Sequence, residues 1–145
     1  MAAVQWYEDL EPVRAAPEPG GLEAELATFL RGATGRADPA LLWSEQEPAG
    51  ADTPDVLAGA LRRELRRTVL AVADGPAGPW RRHAAAVLLV QRRGASEVVL
   101  SPPPGGAGRR RAFRLRAAAC LLVPASWSYR LDPRGNGQPF ALALP

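Results

Sequence analysis

This chain of 145 residues contains no lysine, no isoleucine, one histidine and one cysteine. Without lysine it has no residue for Schiff-base catalysis, for a phosphate-binding P-loop or for a lysine anchor to an oxo-acid. The single cysteine, Cys120, excludes an internal disulfide and a zinc cluster built from cysteines. Cys120 lies within an apolar run, which predicts a buried core thiol rather than a nucleophile.

Long hydrophobic runs are also missing, since no apolar stretch approaches the ~20 residues that a membrane helix requires. The N-terminus carries Glu8, Asp9 and Glu11 where a secretory signal would carry basic residues. We therefore expect a cytoplasmic protein that does not contact a membrane. All 18 basic residues are arginine, and alanine, glycine and proline are abundant. These residues have GC-rich codons, which indicates a high-GC bacterium.

Charge is distributed unevenly along the chain. The first 55 residues hold 11 acidic residues and 3 arginines, whereas the remainder holds 15 arginines and 4 acidic residues. Such asymmetry is typical of proteins that bind a polyanion, and also of proteins in which an acidic layer packs against a basic one. Arginine runs at 62–63, 66–67, 92–93 and 109–111 would supply phosphate contacts, but no nucleic-acid-binding motif accompanies them. The sequence therefore favours solvated arginines over nucleic-acid binding.

The pattern divides the chain into three segments that form one compact unit. Residues 1–20 contain Trp6-Tyr7 and several prolines, which predicts an extended, Pro-rich arm. Residues 21–66 are predicted to be helical. Leucines at helical spacing indicate a helix over 21–31, and two Pro-containing caps predict the starts of two more. The first of these helices runs from Asp38-Pro39 to Trp43, and the second begins at Thr53-Pro54.

Residues 67–145 are predicted to form an antiparallel β domain. Near Thr68 the four-residue spacing of leucines, typical of a helix, gives way to short apolar runs, typical of strands. The expected strands are 68–73, 84–90, 97–100, 113–116, 119–123, one that ends at Leu131, and 140–144. Asp132-Pro133 and Asn136-Gly137 are typical turn formers. About seven strands are one short of the eight in a full jelly roll. The predicted class is α+β, mainly β, with a helical N-terminal segment packed on an antiparallel jelly roll.

Two stretches of the β segment resemble a known family. Val87 to Gly94 looks like a Gln-x-x-Gly hairpin, and Leu121-Leu-Val-Pro124 with Trp127 looks like the closing segment of the JmjC-type cupins. These cupins are the double-stranded β-helix proteins of the iron- and 2-oxoglutarate-dependent oxygenases, which include bacterial ribosomal oxygenases. The resemblance covers about residues 67–145 and implies a cupin fold. Ser126 stands where the family usually has glycine.

The resemblance also implies an iron site of two histidines and one aspartate, of which one residue remains. The first histidine matches His83, the aspartate falls at Ala85 and the second histidine falls at Tyr129. His83 is the only histidine, alanine has no donor atom, and a neutral phenol is a poor Fe(II) ligand. We therefore expect no metal, no cofactor and no catalytic residue.

The expected function is that of a metal-free, cupin-like accessory or binding protein in a bacterial complex, which works as a homodimer or with a protein partner. If a cavity persists, His83, Gln91, Trp127 and Tyr129 would line a pocket for a small molecule or peptide. The aromatic residues would otherwise fill the barrel. A missing strand would leave a sheet edge for another chain. Two alternatives stay open: a 2-oxoglutarate-dependent oxygenase completed by a partner, and an Arg-rich nucleic-acid-binding module.

Overall fold

The computed structural model describes residues 12–14, 21–44, 53–73, 76–105, 110–134 and 139–145. Two helices and ten strands lie within these ranges. In chain order they are β1 (Pro12–Arg14), α1 (Gly21–Ala33), β2 (Ala40–Trp43), α2 (Pro54–Leu65), β3 (Leu70–Ala71), β4 (Gly78–Arg82), β5 (Ala86–Gln91), β6 (Ala95–Ser101), β7 (Arg111–Leu115), β8 (Ala119–Val123), β9 (Ser128–Arg134) and β10 (Phe140–Leu144). Trp6-Tyr7 and the predicted turn at Asn136-Gly137 lie outside the described residues.

The strands from β3 to β10 form one long antiparallel ribbon that is folded over on itself. The hairpin of β6 and β7 is its closed end, and the next pairs are β5 with β8, β4 with β9, and β3 with β10. Successive pairs lie in alternate sheets. The coils of the ribbon then pair side by side, β5 with β10 and β6 with β9. A ribbon wound in this way is an eight-stranded jelly roll, or double-stranded β-helix.

The two sheets differ in size. The smaller sheet has the order β4-β9-β6-β7, and the larger has the order β1-β2-β8-β5-β10-β3. β2 pairs antiparallel with β8, and β1 pairs parallel with β2, so the N-terminal segment adds two strands at one edge. The predicted class is confirmed: the fold is α+β and mainly β, with helices packed on an antiparallel, cupin-like jelly roll.

Apolar side chains form two layers, one on each face of the larger sheet, because side chains alternate along a strand. Between the two sheets the buried cluster consists of Leu41, Val87, Leu89, Val98, Leu100, Phe113, Leu115, Ala119, Leu121, Val123, Trp127, Tyr129, Leu131 and Ala141. The helices cover the other face of the larger sheet. There the buried cluster includes Leu22, Leu26, Leu30, Leu57, Leu61, Leu88, Val90, Cys120, Leu122 and Leu142. Cys120 is buried in this helix-covered layer, as predicted.

The start of α2 follows directly from the sequence. Thr53 is its N-cap, and the Thr53 side-chain oxygen accepts a hydrogen bond from the Val56 N–H at 3.4 Å. Pro54 lies in the first turn, where its missing N–H costs nothing. The helix ends at Arg66, which adopts a left-handed conformation with φ of 53°. Neither described helix is long and apolar enough to cross a membrane.

The short helix predicted from Asp38-Pro39 to Trp43 is wrong, because these residues lead into the strand β2. Leu41 packs between the two sheets, and Leu42 packs in the helix-covered layer. Both faces of this segment are therefore buried. Pairing with β8 supplies its backbone hydrogen bonds and overrides the local helix signal.

The count of about seven strands is also wrong, because eight lie in the described part of the segment from residue 67. The additional strand is β4, whose residues are mostly exposed and show no apolar alternation. β9 continues through the predicted turn at Asp132-Pro133 and pairs with β6 as far as Arg134. The jelly roll therefore does not lack a strand. A sheet edge left open by a missing strand is no longer a reason to expect a partner chain.

The helix-covered layer should contribute strongly to stability. Leu30 in α1 has no exposed surface, so Leu30→Ala should lower the free energy of unfolding by ~2–5 kcal/mol through lost burial and an unfilled cavity. Val56→Ala is the matched control, because Val56 is 43 % exposed and should change stability by less than ~0.5 kcal/mol. Chemical unfolding followed by far-UV circular dichroism measures both. Equal losses would contradict the observed packing.

Candidate functional site

The structure brings together two of the four predicted site residues, His83 and Tyr129. Tyr129 lies on β9, where its cross-strand partner is Arg81 of β4, and His83 follows β4 directly. The imidazole Nε2 lies 3.0 Å from the Tyr129 hydroxyl, and the two rings stack with their centroids 5.7 Å apart. The His83 carbonyl accepts a hydrogen bond from the Ser126 N–H at 3.1 Å. The two positions matched to iron-binding histidines are therefore adjacent in space.

Burial keeps both members of this pair uncharged. It lowers the pKa of His83 below its ordinary value of 6.5, and the nearby Arg81 cation lowers it further. Burial raises the pKa of Tyr129, and the opposing effect of Arg81 is smaller. At neutral pH the pair is thus a phenol bonded to a neutral imidazole, with a guanidinium close by.

These residues do not fit the iron centre that the resemblance implies. A facial triad needs two imidazoles and a carboxylate, whereas Tyr129 stays protonated and Ala85 has no donor atom. The His83 Nε2 is already in a hydrogen bond. Over the ranges that the structure describes, no three His, Cys, Asp or Glu side chains come together as a metal site.

The space between the sheets next to this pair is packed with apolar side chains. Tyr129, Phe113, Leu100 and Leu121 have no exposed surface and belong to one contact cluster. They come from both sheets, and they face each other because side chains on a strand alternate between its faces. Tyr129 is thus both a hydrogen-bond partner of His83 and part of the core.

Gln91 does not join the pair, although it is fully buried. Its side-chain oxygen accepts a hydrogen bond from the Ser96 hydroxyl at 2.6 Å, and its amide donates to the Arg93 carbonyl. Both partners belong to the hairpin of β5 and β6, which turns at Gly94 with φ of 67°. Gln91 therefore satisfies buried polar groups within its own hairpin.

Trp127 is also held by a contact away from the pair. It is buried, and its indole N–H donates to the Ala37 carbonyl at 3.0 Å. That bond connects the turn between β8 and β9 to the segment between α1 and β2. In the same turn Ser126 has φ of 72°, a conformation that favours glycine. Glycine is the residue that the resemblance leads us to expect there.

An open groove of about 740 Å³ lies beside the residues that follow His83. It is lined by Thr34, Gly35, Arg67, Ala84, Ala85, Ala86, Ala125, Leu144 and Pro145. The Arg67 guanidinium already donates to the backbone carbonyls of Leu144 and Pro145. The remaining walls are mostly alanine, so the groove presents few polar groups to hold a ligand.

Arg81 is the residue of this site that sequence reasoning missed. It influences the pKa of both His83 and Tyr129, and one guanidinium nitrogen donates to the Ala77 carbonyl at 3.1 Å. Its Nε is buried and has no hydrogen-bond partner in the described part of the chain. The available signal was its spacing of two residues before His83, which places both on one side of a strand. No strand was predicted between residues 73 and 84, so this spacing did not point to Arg81.

Comparisons with known proteins identify no family. No protein-family model and no curated protein matches the chain. Among solved structures it is similar to that of YcfD, a ribosomal oxygenase from Escherichia coli, with a TM-score of 0.45 and 12 % sequence identity. The match covers 84 % of this chain and 42 % of the oxygenase chain, so this chain spans less than half of that protein. Such a likeness assigns no activity, and function must be argued from the residues themselves.

The His83–Tyr129 pair should make stability depend on pH. The pKa of His83 is lower in the folded chain than its ordinary value of 6.5, so the unfolded chain takes up the proton first. The free energy of unfolding should therefore fall as the pH drops below 6.5, down to the folded-state pKa. His83→Gln should remove this part of the dependence. Urea unfolding at pH values above and below 6.5 measures it, and identical profiles for both proteins would contradict the assignment.

The Gln91–Ser96 contact should matter for stability rather than for binding. Gln91→Ala leaves the buried Ser96 hydroxyl without its acceptor and should cost ~1–3 kcal/mol of unfolding free energy. In the double variant with Ser96→Ala, the loss should be smaller than the sum of the two single losses, because the two groups interact. Denaturant unfolding of the four proteins of this cycle gives the coupling. Strict additivity would contradict the observed hydrogen bond.

Proposed function

We propose that this chain is a metal-free accessory or binding protein built on a cupin-like double-stranded β-helix. The observation that carries the proposal is the neutral His83–Tyr129 pair at the two positions matched to metal-binding histidines. A phenol kept protonated by burial is a poor ligand for Fe(II). In the part of the chain that the structure describes, the neutral imidazole of His83 is bonded to Tyr129 and has no carboxylate in a hydrogen bond with it, so the usual nucleophile–base arrangement is not formed there.

The same contacts weigh against an oxygenase that a partner chain completes. A ligand from outside would have to reach His83, whose Nε2 is bonded to Tyr129. Freeing Nε2 would break this bond and leave the hydroxyl of Tyr129, a side chain with no exposed surface, without that partner. Leaving a buried polar group unsatisfied costs roughly 1–3 kcal/mol before any metal bond forms.

We propose further that binding takes place on the outer surface and involves a macromolecular partner. The packed interior supports surface binding, and the uneven charge of the chain supports a charged partner. Three large apolar side chains are exposed within the described residues, on three different elements: Leu70 on β3, Val56 on α2 and Trp80 on β4. Single exposed apolar side chains are common on protein surfaces, so of these three it is Trp80, which lies against Arg110 and Arg130, that supports a contact surface.

Metal analysis tests the proposal. Protein purified without chelator should contain no stoichiometric transition metal, and added Fe(II) or Mn(II) with 2-oxoglutarate should leave its melting temperature unchanged. A ligand present at 100 times its Kd would add ~2.7 kcal/mol of stability, which a thermal melt detects. The Ala85→Asp/Tyr129→His double variant, which restores the implied ligand set around His83, is the comparison protein. One metal per wild-type chain, lost in His83→Ala, would overturn the proposal.

A further inference from the structure

The outer face of the four-stranded sheet carries an arginine-rich surface. Val98, Leu100, Tyr129 and Leu131 face the other sheet, so the residues that alternate with them face outward. The cross-strand register then places the following residues on the outer face: Arg82 of β4, Glu97 and Val99 of β6, Arg114 of β7, and Arg130, Asp132 and Arg134 of β9. The two described helices pack on the other sheet. In the part of the chain that the structure describes, neither helix covers this face.

Trp80 of the edge strand β4 belongs to this surface and is 39 % exposed. The guanidinium carbon of Arg130 is 5.6 Å from the centre of the indole ring, and that of Arg110 is 5.2 Å from it. Trp80, Arg110 and Arg130 come from three separate segments. Cation–π attraction holds the two guanidinium groups in place, so less conformational entropy is lost when an anion binds them.

The charge of this surface is not neutralised within the described residues. Its two acidic groups, Glu97 and Asp132, form ion pairs with Arg134 at 2.8 and 3.2 Å, and Glu97 also lies 4.0 Å from Arg114. Arg82, Arg110 and Arg130 are exposed and form no ion pair with these acids. Within the described residues, Arg110 and Arg130 thus lie against one exposed aromatic ring, and Arg82 is exposed on the same face. This is a suitable surface for a polyanion that also carries planar groups.

We propose that this surface binds single-stranded nucleic acid, with phosphates on Arg82, Arg110 and Arg130 and a base stacked on the platform of Trp80 and its guanidinium groups. The proposal rests on the proposed function, because it names the partner of the surface-binding protein. Single strands expose both phosphates and base faces, and an aromatic ring beside arginines recognises that combination. The seven residues of β9 span ~23 Å, enough for a few nucleotides. The sequence disfavoured nucleic acid because no recognised binding motif accompanies the arginine runs, whereas this surface is assembled from separate segments of the chain.

Fluorescence anisotropy with labelled oligouridylate or oligothymidylate of about 12 nucleotides tests the proposal on the full chain. We expect binding at low salt that weakens as salt rises. Trp80→Ala should weaken binding by ~10-fold, because stacking of one base contributes about 1–3 kcal/mol. Arg130→Ala should lower the slope of log affinity against log salt by ~1. Arg63→Ala is the matched control, since Arg63 is exposed on α2, which packs on the other sheet.

The proposal would be overturned by no binding of either oligonucleotide at low salt, by an equal loss for Arg63→Ala and Arg130→Ala, or by no effect of Trp80→Ala in a variant that keeps its circular dichroism spectrum. Equal competition by polyglutamate would also overturn it and would point to an acidic protein partner. Stronger competition by duplex than by single strands would point to backbone contacts alone. These results are independent of the metal analysis, so failure here leaves the metal-free assignment standing, and the reverse also holds.

Discussion

The packing of apolar side chains between the two sheets is the constraint on which the rest of this structure depends. The folded ribbon from β3 to β10 turns one face of every long strand inward, and leucine, valine and aromatic side chains meet there. Each buried side chain of this kind stabilises the fold by about 1.5–3 kcal/mol. A polar group in such surroundings must find a partner. The Tyr129 hydroxyl is hydrogen-bonded to His83. Both residues stand at positions that the resemblance matches to metal-binding histidines.

The helical segment is joined to the jelly roll by polar contacts as well as by apolar packing. Arg62 of α2 donates to the Val69 carbonyl at 2.8 Å, and Trp127 donates to the Ala37 carbonyl. Ser44, directly after β2, bonds the side chain of Glu25 in α1. Bonds of this kind to buried groups are costly to leave unmade, so they fix how α1, α2 and β2 lie on the sheet. The helices thereby cover one face of the larger sheet, whereas neither described helix covers the outer face of the smaller sheet.

The two sheets therefore have different roles in the function that we propose. The larger sheet has apolar residues on both faces, as expected for a sheet covered on both sides. The smaller sheet has an apolar inner face and a charged outer face, where alternation places arginines around Trp80. Its edge strand β4 contributes to both regions: Arg81 lies beside the neutral His83–Tyr129 pair, and Trp80 and Arg82 belong to the outward surface. One strand thus connects the His83–Tyr129 pair to the candidate binding face.

The sequence by itself determined the elements whose signals are local. Thr53-Pro54 starts α2 because the cap and the proline act within one turn, and the apolar run 119–123 is a strand because both of its faces are buried. Spacing and the resemblance also predicted the double-stranded β-helix and the loss of two implied iron ligands.

Only the tertiary structure decided the elements whose partners are distant in sequence. Ala40–Trp43 is a strand because β8 offers it hydrogen bonds, and Gly78–Arg82 is a strand although its own side chains show no alternation. Gln91 is hydrogen-bonded within its own hairpin because strand pairing brings Ser96 and the Arg93 carbonyl next to it. The placement of Arg110 and Arg130 against Trp80, with Arg82 on the same face, depends on strand register, and register is set by pairing between segments that no local pattern connects.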